Sequence, residues 1–110
     1  MKHVTTRKEL ETYLMSLSGV RLEHPFGEEV AVYMAPGEKM FALIREGSMP
    51  LQLSLKCDPQ LAQVLREKYE TVMPGHHLHK KEWNTILLTG QLTWQEVQDL
   101  IMHAYVLVTS

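Results

Sequence analysis

Residues 51–56, LQLSLK, alternate strictly between leucine and a polar residue. Successive side chains of a β-strand point to opposite faces of a sheet, so this segment predicts a strand with its three leucines on one face. A sheet built from such strands has one buried face and one wet face. The buried face needs a covering layer, which helices elsewhere in the chain must supply.

Three further strands are predicted before this segment, and short turns join all four. The first covers residues 20–26, where Pro25 indicates an edge or a bend because proline gives a ladder no donor. The second alternates over residues 30–34, and residues 35–38, APGE, predict a type II turn. The third, residues 39–45, is apolar on both faces, which indicates a central position. Short turns require antiparallel pairing, since a parallel connection needs a longer crossover.

Three helices are predicted by their capping signals and apolar periodicity. The first covers residues 6–18 and the last follows Thr93; each begins with threonine followed three residues later by glutamate, which is a capping box. The second begins after Asp58, with proline at its first position, and ends near Tyr69. A fifth strand, residues 83–88, precedes the last helix.

The composition fits one globular domain spanning residues 1–110. Apolar residues make up 45% of the chain and charged residues 22%, and both fractions are ordinary for a globular protein. The predicted order of elements is α-β-β-β-β-α-β-α. This order is an α+β fold with an antiparallel sheet of about five strands covered by helices.

Nothing in the sequence predicts export or membrane insertion. The first eight residues lack the apolar core of a signal peptide, and no apolar run approaches the ~18 residues of a membrane span. Cys57 is the single cysteine and cannot form an internal disulfide. We therefore expect a cytoplasmic, monomeric protein that does not bind membranes.

Residues 74–85, PGHHLHKKEWNT, contain three of the six histidines but predict neither a metal site nor a cofactor site. Histidine is the commonest metal ligand, yet these residues lie on a loop and lack the fourth ligand that a zinc site uses. Cys57 would need a base such as His24 or His77 to act as a nucleophile. Its position between a strand and a helix cap favours a buried, inert thiol instead. We therefore expect a protein that is not an enzyme.

The same stretch contains the features that favour nucleic-acid binding. The net charge of −2 excludes a strongly basic domain, so such a role must rest on a local patch. Lys80 and Lys81 can neutralise phosphates, Asn84 can read adenine, and an exposed Trp83 can stack on a base. The structural alternatives are a solvated turn for the lysines, a core position for Trp83 and backbone hydrogen bonding for Asn84 and Thr85.

The chain resembles the MmcQ/YjbR family of small bacterial proteins in a series of short motifs. In order, they are HPFG at 24–27, KMFAL at 39–43, LKCDP at 55–59, PG at 74–75, HL at 77–78, Lys80, WNT at 83–85, AY at 104–105 and LV at 107–108. The resemblance implies an α+β fold with an antiparallel sheet. Members are likened to a double-wing DNA-binding arrangement and to small chaperone-like α/β folds.

The matched positions of the loop are His77, Leu78, Lys80 and the WNT segment, and three other positions depart from the family pattern. His76 stands where an aromatic residue is expected, His79 where asparagine is expected, and Glu82 where histidine is common. Glu82 makes the loop less cationic, and the histidines restore positive charge only toward pH ~6.

Two main functional hypotheses follow. The first is a non-enzymatic DNA-binding module that contacts phosphate through the loop 76–81. Its predicted DNA-binding residues, of which His77 and Asn84 would position the loop, are His77, Lys80, Lys81, Asn84, Lys56, Arg66 and Lys68. The second is a protein-interaction or chaperone-like adaptor, in which the edge strand 20–26 accepts a partner's strand. A small-molecule enzyme, the third hypothesis, would need a deep pocket near His24, His77 and Trp83.

Overall fold

The computed structural model describes residues 3–75 and 78–110 of the chain. Its helices are α1 (Arg7–Ser16), α2 (Pro59–Lys68) and α3 (Trp94–Thr109). Its strands are β1 (Arg21–Glu23), β2 (Val30–Ala35), β3 (Lys39–Arg45), β4 (Gln52–Lys56), β5 (Val72–Pro74) and β6 (Trp83–Leu87). In this part of the chain the strands form one six-stranded sheet in the order β1-β2-β3-β4-β6-β5, and each neighbouring pair is antiparallel. The predicted α+β fold is therefore confirmed.

The predicted helix starts are confirmed at their caps. The Thr6 hydroxyl accepts from the backbone N–H of Glu9 at 3.1 Å, and the Glu9 carboxylate accepts from the backbone N–H of Thr6 at 2.9 Å. Thr93 and Glu96 repeat this box at the start of α3. The Asp58 carboxylate accepts from two backbone N–H groups in the first turn of α2. Each cap supplies partners that the first turn of a helix lacks.

The strand β5 is an element that the sequence did not predict. It has three residues and ends in Pro74, so it is too short to show a period. It pairs with β6 and forms one edge of the sheet, which raises the strand number from about five to six. The other edge is β1, as Pro25 indicated, but β1 stops at Glu23 and not at Phe26.

One face of the sheet, here called the helix face, contains most of the core. It includes Tyr33 of β2, Ile44 of β3 and Leu53 of β4, all fully buried. Leu14 of α1 and Ile101 of α3 belong to the same apolar cluster, and α3 lies over β2, β3 and β4. The leucines of LQLSLK therefore face the helices, as their alternation predicted.

The opposite face, here called the open face, contains a smaller apolar cluster. Val32, Leu43 and Trp83 are its buried members, and Leu78 packs against them from the segment 78–82. Trp83 is 5% exposed, which confirms its predicted core position. Across residues 3–75 and 78–110, no helix has both the length and the apolar character needed to cross a bilayer.

Candidate functional site

Arg66 of α2 makes hydrogen bonds that connect this helix to the loop between β5 and β6. Its Nε donates to Oδ1 of Asn84 at 2.7 Å, and its Nη2 donates to the carbonyl oxygens of Trp83, at 3.1 Å, and Lys80. A guanidinium that serves three acceptors fixes the loop where it joins β6. Arg66 was predicted to contact DNA phosphate; in the structure its Nε and Nη2 donate to these internal acceptors and so position the loop.

Asn84 is the second positioning residue. It is 2% exposed, and its amide donates to the backbone carbonyl of Ala62 at 3.2 Å while accepting from Arg66. A side chain enclosed in this way cannot present its amide to the edge of a base. Asn84 instead joins α2 to β6, which agrees with its suggested part in holding the loop.

Gly75, which follows Pro74 at the start of the loop, lies where the structure leaves no room for a side chain. A Cβ added there would lie 2.6 Å from the Cβ of Trp83 and 3.2 Å from the Cβ of Leu78. Its backbone N–H donates to the carbonyl of Trp83 at 2.8 Å. Glycine therefore allows the two ends of the loop to approach closely, because any side chain would collide with Trp83.

Lys80 and Lys81 follow as exposed residues with no ion-pair partner among the residues that the structure describes. Lys68 is also exposed, and its Nζ lies 5.2 Å from the centre of the Tyr69 ring. These lysines are the predicted DNA-binding residues whose charges face solvent. Because Arg66 bonds the Lys80 backbone, the lysine pair lies beside α2, which carries Lys68.

Lys56 is held more closely than the other predicted lysines. Its Nζ lies 3.6 Å from Oε1 of Glu82 and 5.8 Å from the centre of the Trp83 ring. The other carboxylate oxygen of Glu82 lies 3.3 Å from Nδ1 of His79. Glu82, which departs from the family pattern, therefore has its carboxylate within ion-pair distance of Lys56 and His79.

His76 and His77 lie outside the described residues, so the predicted role of His77 in positioning the loop stays a prediction. Among residues 3–75 and 78–110, no group of three or more histidine, cysteine, aspartate or glutamate side chains is arranged to hold a metal ion.

Cys57 is buried, as its position between strand and helix predicted. It is 3% exposed, and burial raises the pKa of its thiol from 9.0 to about 11, with a smaller contribution from the Asp58 carboxylate. At neutral pH the residue is therefore a protonated thiol, whereas a cysteine nucleophile reacts as the thiolate.

A pocket of about 270 Å³ opens on the open face of the sheet. Phe26 and Leu78, from two of the family motifs, meet at this pocket although they are far apart in sequence. Sequence reasoning missed this site, because only the strand register brings its polar residues together. The described residues that line it are Phe26, Val30, Leu43, Arg45, Gln52, Ser54 and Leu78.

The pocket differs from the one that the enzyme hypothesis requires. Neither His24 nor Trp83 is among the described residues that line it, and His77 lies outside the described residues. Its lining includes no described carboxylate, histidine or cysteine. Arg45 is the titratable group that the described residues bring to it.

The adaptor hypothesis depends on β1, which offers a short and charged edge. The strand has three residues, and Nη2 of Arg21 lies 3.1 Å from a Glu23 carboxylate oxygen and 2.7 Å from a Glu38 carboxylate oxygen. Short, charged edge strands are a common means of preventing the addition of a partner strand.

Comparison with known proteins identifies the family. A family model described as YjbR matches residues 15–107, which is most of the chain. This chain belongs to the YjbR family. The match confirms the resemblance that the short motifs indicated. The loop, Arg66, the lysine pair and the pocket residues all lie within the matched span.

Curated relatives in the YjbR family are described as uncharacterised proteins. YjbR of Escherichia coli strain K12 is 30% identical over 100 residues, which cover 91% of this chain and 84% of the relative. YbdF of Escherichia coli O157:H7 is 32% identical over 94 residues, which cover 86% of this chain and 76% of the relative. These relatives support family membership and assign no activity.

Solved structures of similar proteins share the YjbR fold. The crystal structure of DR2400 from Deinococcus radiodurans, described by its DUF419 domain, has a TM-score of 0.91 and 30% identity. The alignment covers all of this chain and 83% of that one. A crystal structure from Pseudomonas syringae has a TM-score of 0.79 and 27% identity, covering 94% of this chain and 98% of that one.

Proposed function

We propose that this YjbR-family protein is a non-enzymatic binding module that contacts the phosphate backbone of DNA. The observation that carries the proposal is the state of Lys80 and Lys81. Both are exposed, and neither has an ion-pair partner among the described residues. Lysines in this state can each neutralise a phosphate and release its counterions.

The attachment of the loop supports the same role. Arg66 bonds the backbone of Lys80 itself, so the lysine pair begins from a fixed backbone and not from a free chain. A group that is ordered before binding loses less conformational entropy when it binds. Lys68 adds a solvent-facing charge on the neighbouring helix, while Lys56 offsets the carboxylate of Glu82.

The overall charge limits the strength of this binding. A net charge of −2 repels a polyanion at long range, so affinity rests on the local patch and weakens as salt screens it. We therefore expect sequence-independent affinity at low salt. With Asn84 buried and Trp83 in the open-face cluster, backbone contacts outweigh base contacts.

The test is a titration of a fluorescent DNA duplex at several salt concentrations. The wild-type protein should bind at low salt, and its affinity should fall as salt rises. The double variant Lys80→Ala with Lys81→Ala should bind every duplex more weakly, and the salt slope should decrease by about two.

The matched control removes the same charge elsewhere. Lys8 and Lys39 are exposed lysines on α1 and β3, so Lys8→Ala with Lys39→Ala changes the net charge equally. This control should retain the wild-type salt slope. Absence of binding at low salt, or equal losses in the two double variants, would rule out the lysine pair as the DNA contact.

A further inference from the structure

The pocket on the open face has a floor set by the strand register. Val30, Arg45 and Gln52 face one another across β2, β3 and β4, and Leu43 faces Ser54 in the next row. Side chains two residues apart on a strand share a face, so both rows point away from the helices. The result is a floor that combines the apolar Val30 and Leu43 with polar side chains in both rows.

Phe26 and Leu78 close the pocket from two separate loops. Phe26 is 63% exposed although it is an aromatic residue, and it lies in a tight turn before Gly27, whose φ is +100°. Leu78 is partly buried against the open-face cluster. A molecule that fills the space would cover the exposed ring, which favours an apolar occupant.

Arg45 differs from the other three arginines of the chain. Of the four arginines, Arg7 is bound by Glu46 at 2.7 Å, Arg21 by Glu38 at 2.7 Å, and Arg66 by Asn84 at 2.7 Å. Arg45 has no ion-pair or hydrogen-bond partner for its side chain among the described residues. Its guanidinium therefore reaches the pocket with its full set of donors unused.

The described polar and acidic residues near Arg45 do not pair with its guanidinium. Gln52, directly opposite on β4, makes no side-chain hydrogen bond within the described part of the chain. The carboxylate of Glu46, the next residue along the chain, is occupied by Arg7. The exposed Glu28 and Glu29 lie in the loop before β2, and neither forms an ion pair with Arg45.

We propose that this pocket binds a small carboxylic acid with a compact apolar body. The carboxylate lies on Arg45, with Gln52 as a second donor, and the body lies between Phe26 and Leu78. A planar guanidinium presents paired N–H groups that match the two oxygens of a carboxylate. A volume of about 270 Å³ is slightly below the range of about 300–1,000 Å³ that is typical of ligand pockets. The occupant is therefore one ring or one branched chain.

The proposal goes beyond DNA binding and does not depend on it. The lysine pair lies in the loop between β5 and β6, whereas Arg45 ends β3, so a variant of one leaves the other in place. Either proposal can fail while the other stands.

The experiment is an NMR titration that follows the backbone amides of the full chain. Phenylacetate should cause saturable shifts at Phe26, Arg45 and Leu78. Phenylacetamide, which has the same ring and no charge, should bind at least about tenfold more weakly because it loses the charge-assisted contact. Acetate, which lacks the apolar body, should cause no saturable shift at the pocket.

Two variants of the same strand separate the Arg45 contact from general charge. Arg45→Gln should weaken phenylacetate binding at least about tenfold. Lys39→Gln removes one positive charge from the exposed start of β3 and should leave the affinity unchanged. The amide spectrum of each variant also shows whether it is folded.

Several outcomes would overturn the proposal. They are the absence of saturable shifts with millimolar phenylacetate, equal affinity for phenylacetamide, and wild-type affinity in Arg45→Gln. A free carboxylate can also come from a peptide C-terminus. A tripeptide ending in phenylalanine that binds more tightly than phenylacetate would overturn the assignment to a small acid.

Discussion

The helix face and the open face of the sheet bury their apolar residues in different ways. On the helix face, Tyr33, Ile44 and Leu53 lie beneath the helices and are fully buried. On the open face, loop residues such as Leu78 provide the cover and leave a pocket beside Leu43. The helix face is thus covered by helices, whereas the open face is covered in part by loop residues and contains a pocket.

The residues that stabilise the fold and the residues proposed to bind ligands lie in different parts of the molecule. The helix face holds the larger cluster, so most of the apolar burial that stabilises the fold occurs there. The open face holds the proposed pocket, with Arg45 at its floor, whereas the lysine pair lies in the loop beside α2. Groups that bind a ligand must keep unused donors, and a loop-covered face can provide them.

The largest expected effect compares two leucines on opposite faces. Leu53→Ala should destabilise the protein by about 3–5 kcal/mol, because it leaves a closed cavity under the helices. Leu43→Ala should cost about 2–3 kcal/mol, because Leu43 lines a space that is already open. Urea unfolding of both variants measures the difference. Equal losses would mean that the open face is packed as tightly as the helix face.

The next effect tests the attachment of the loop to α2. Arg66→Ala should cost about 2–3 kcal/mol, because it leaves the buried Asn84 and the Trp83 carbonyl without their charged donor. Amide hydrogen exchange in residues 78–82 should also become faster. Lys68→Ala on the same helix is the control and should change stability by less than about 0.5 kcal/mol. Unchanged exchange in Arg66→Ala would show that other contacts hold the loop.

The smallest effect concerns the thiol of Cys57. In the folded protein its pKa is raised to about 11, whereas the unfolded thiol releases its proton near 9.0. Rising pH above about 9 therefore favours the unfolded state, and this contribution to stability is lost by about pH 11. Between pH 8 and pH 10 the wild-type protein should lose about 1 kcal/mol more than Cys57→Ala. Urea unfolding at both pH values measures this loss. If the free energy of unfolding fell equally in the two proteins, the raised pKa would be contradicted.

A thiol moved to the open face sharpens the comparison further. Gln52→Cys, combined with Cys57→Ala, places a cysteine beside the pocket. At pH 8 it should react with an aromatic disulfide reagent, while Cys57 of the wild-type protein stays protected until the protein unfolds. Comparable rates would show that solvent reaches both sites equally.

The helices could be predicted because their signals are local. The boxes at Thr6 and Thr93 and the cap at Asp58 each involve groups within one turn of helix, so neighbouring letters specify them. β5 could not be predicted in this way. Its three residues have no readable period and become a strand only because β6 lies beside them.

The candidate sites also include features that local sequence signals predict and features that depend on tertiary contacts. The sequence indicated the lysine pair and the core position of Trp83, since an adjacent pair of lysines and a large aromatic residue are informative by themselves. It also grouped Arg66 and Asn84 with the DNA-binding residues, although Arg66 donates to backbone carbonyls and Asn84 is buried. Residue type alone cannot reveal which acceptor a guanidinium reaches.

The sequence by itself determined the family, the α+β class, the helix starts and the orientation of the leucines of LQLSLK. These depend on capping and on a period of two residues, which are short-range properties of the chain. Only the tertiary structure decided that Arg66 serves the loop while Arg45 has no partner among the described residues, and that Phe26 and Leu78 meet at one pocket. Strand register and loop packing bring together groups that are distant in sequence, and the state of a charge depends on those groups.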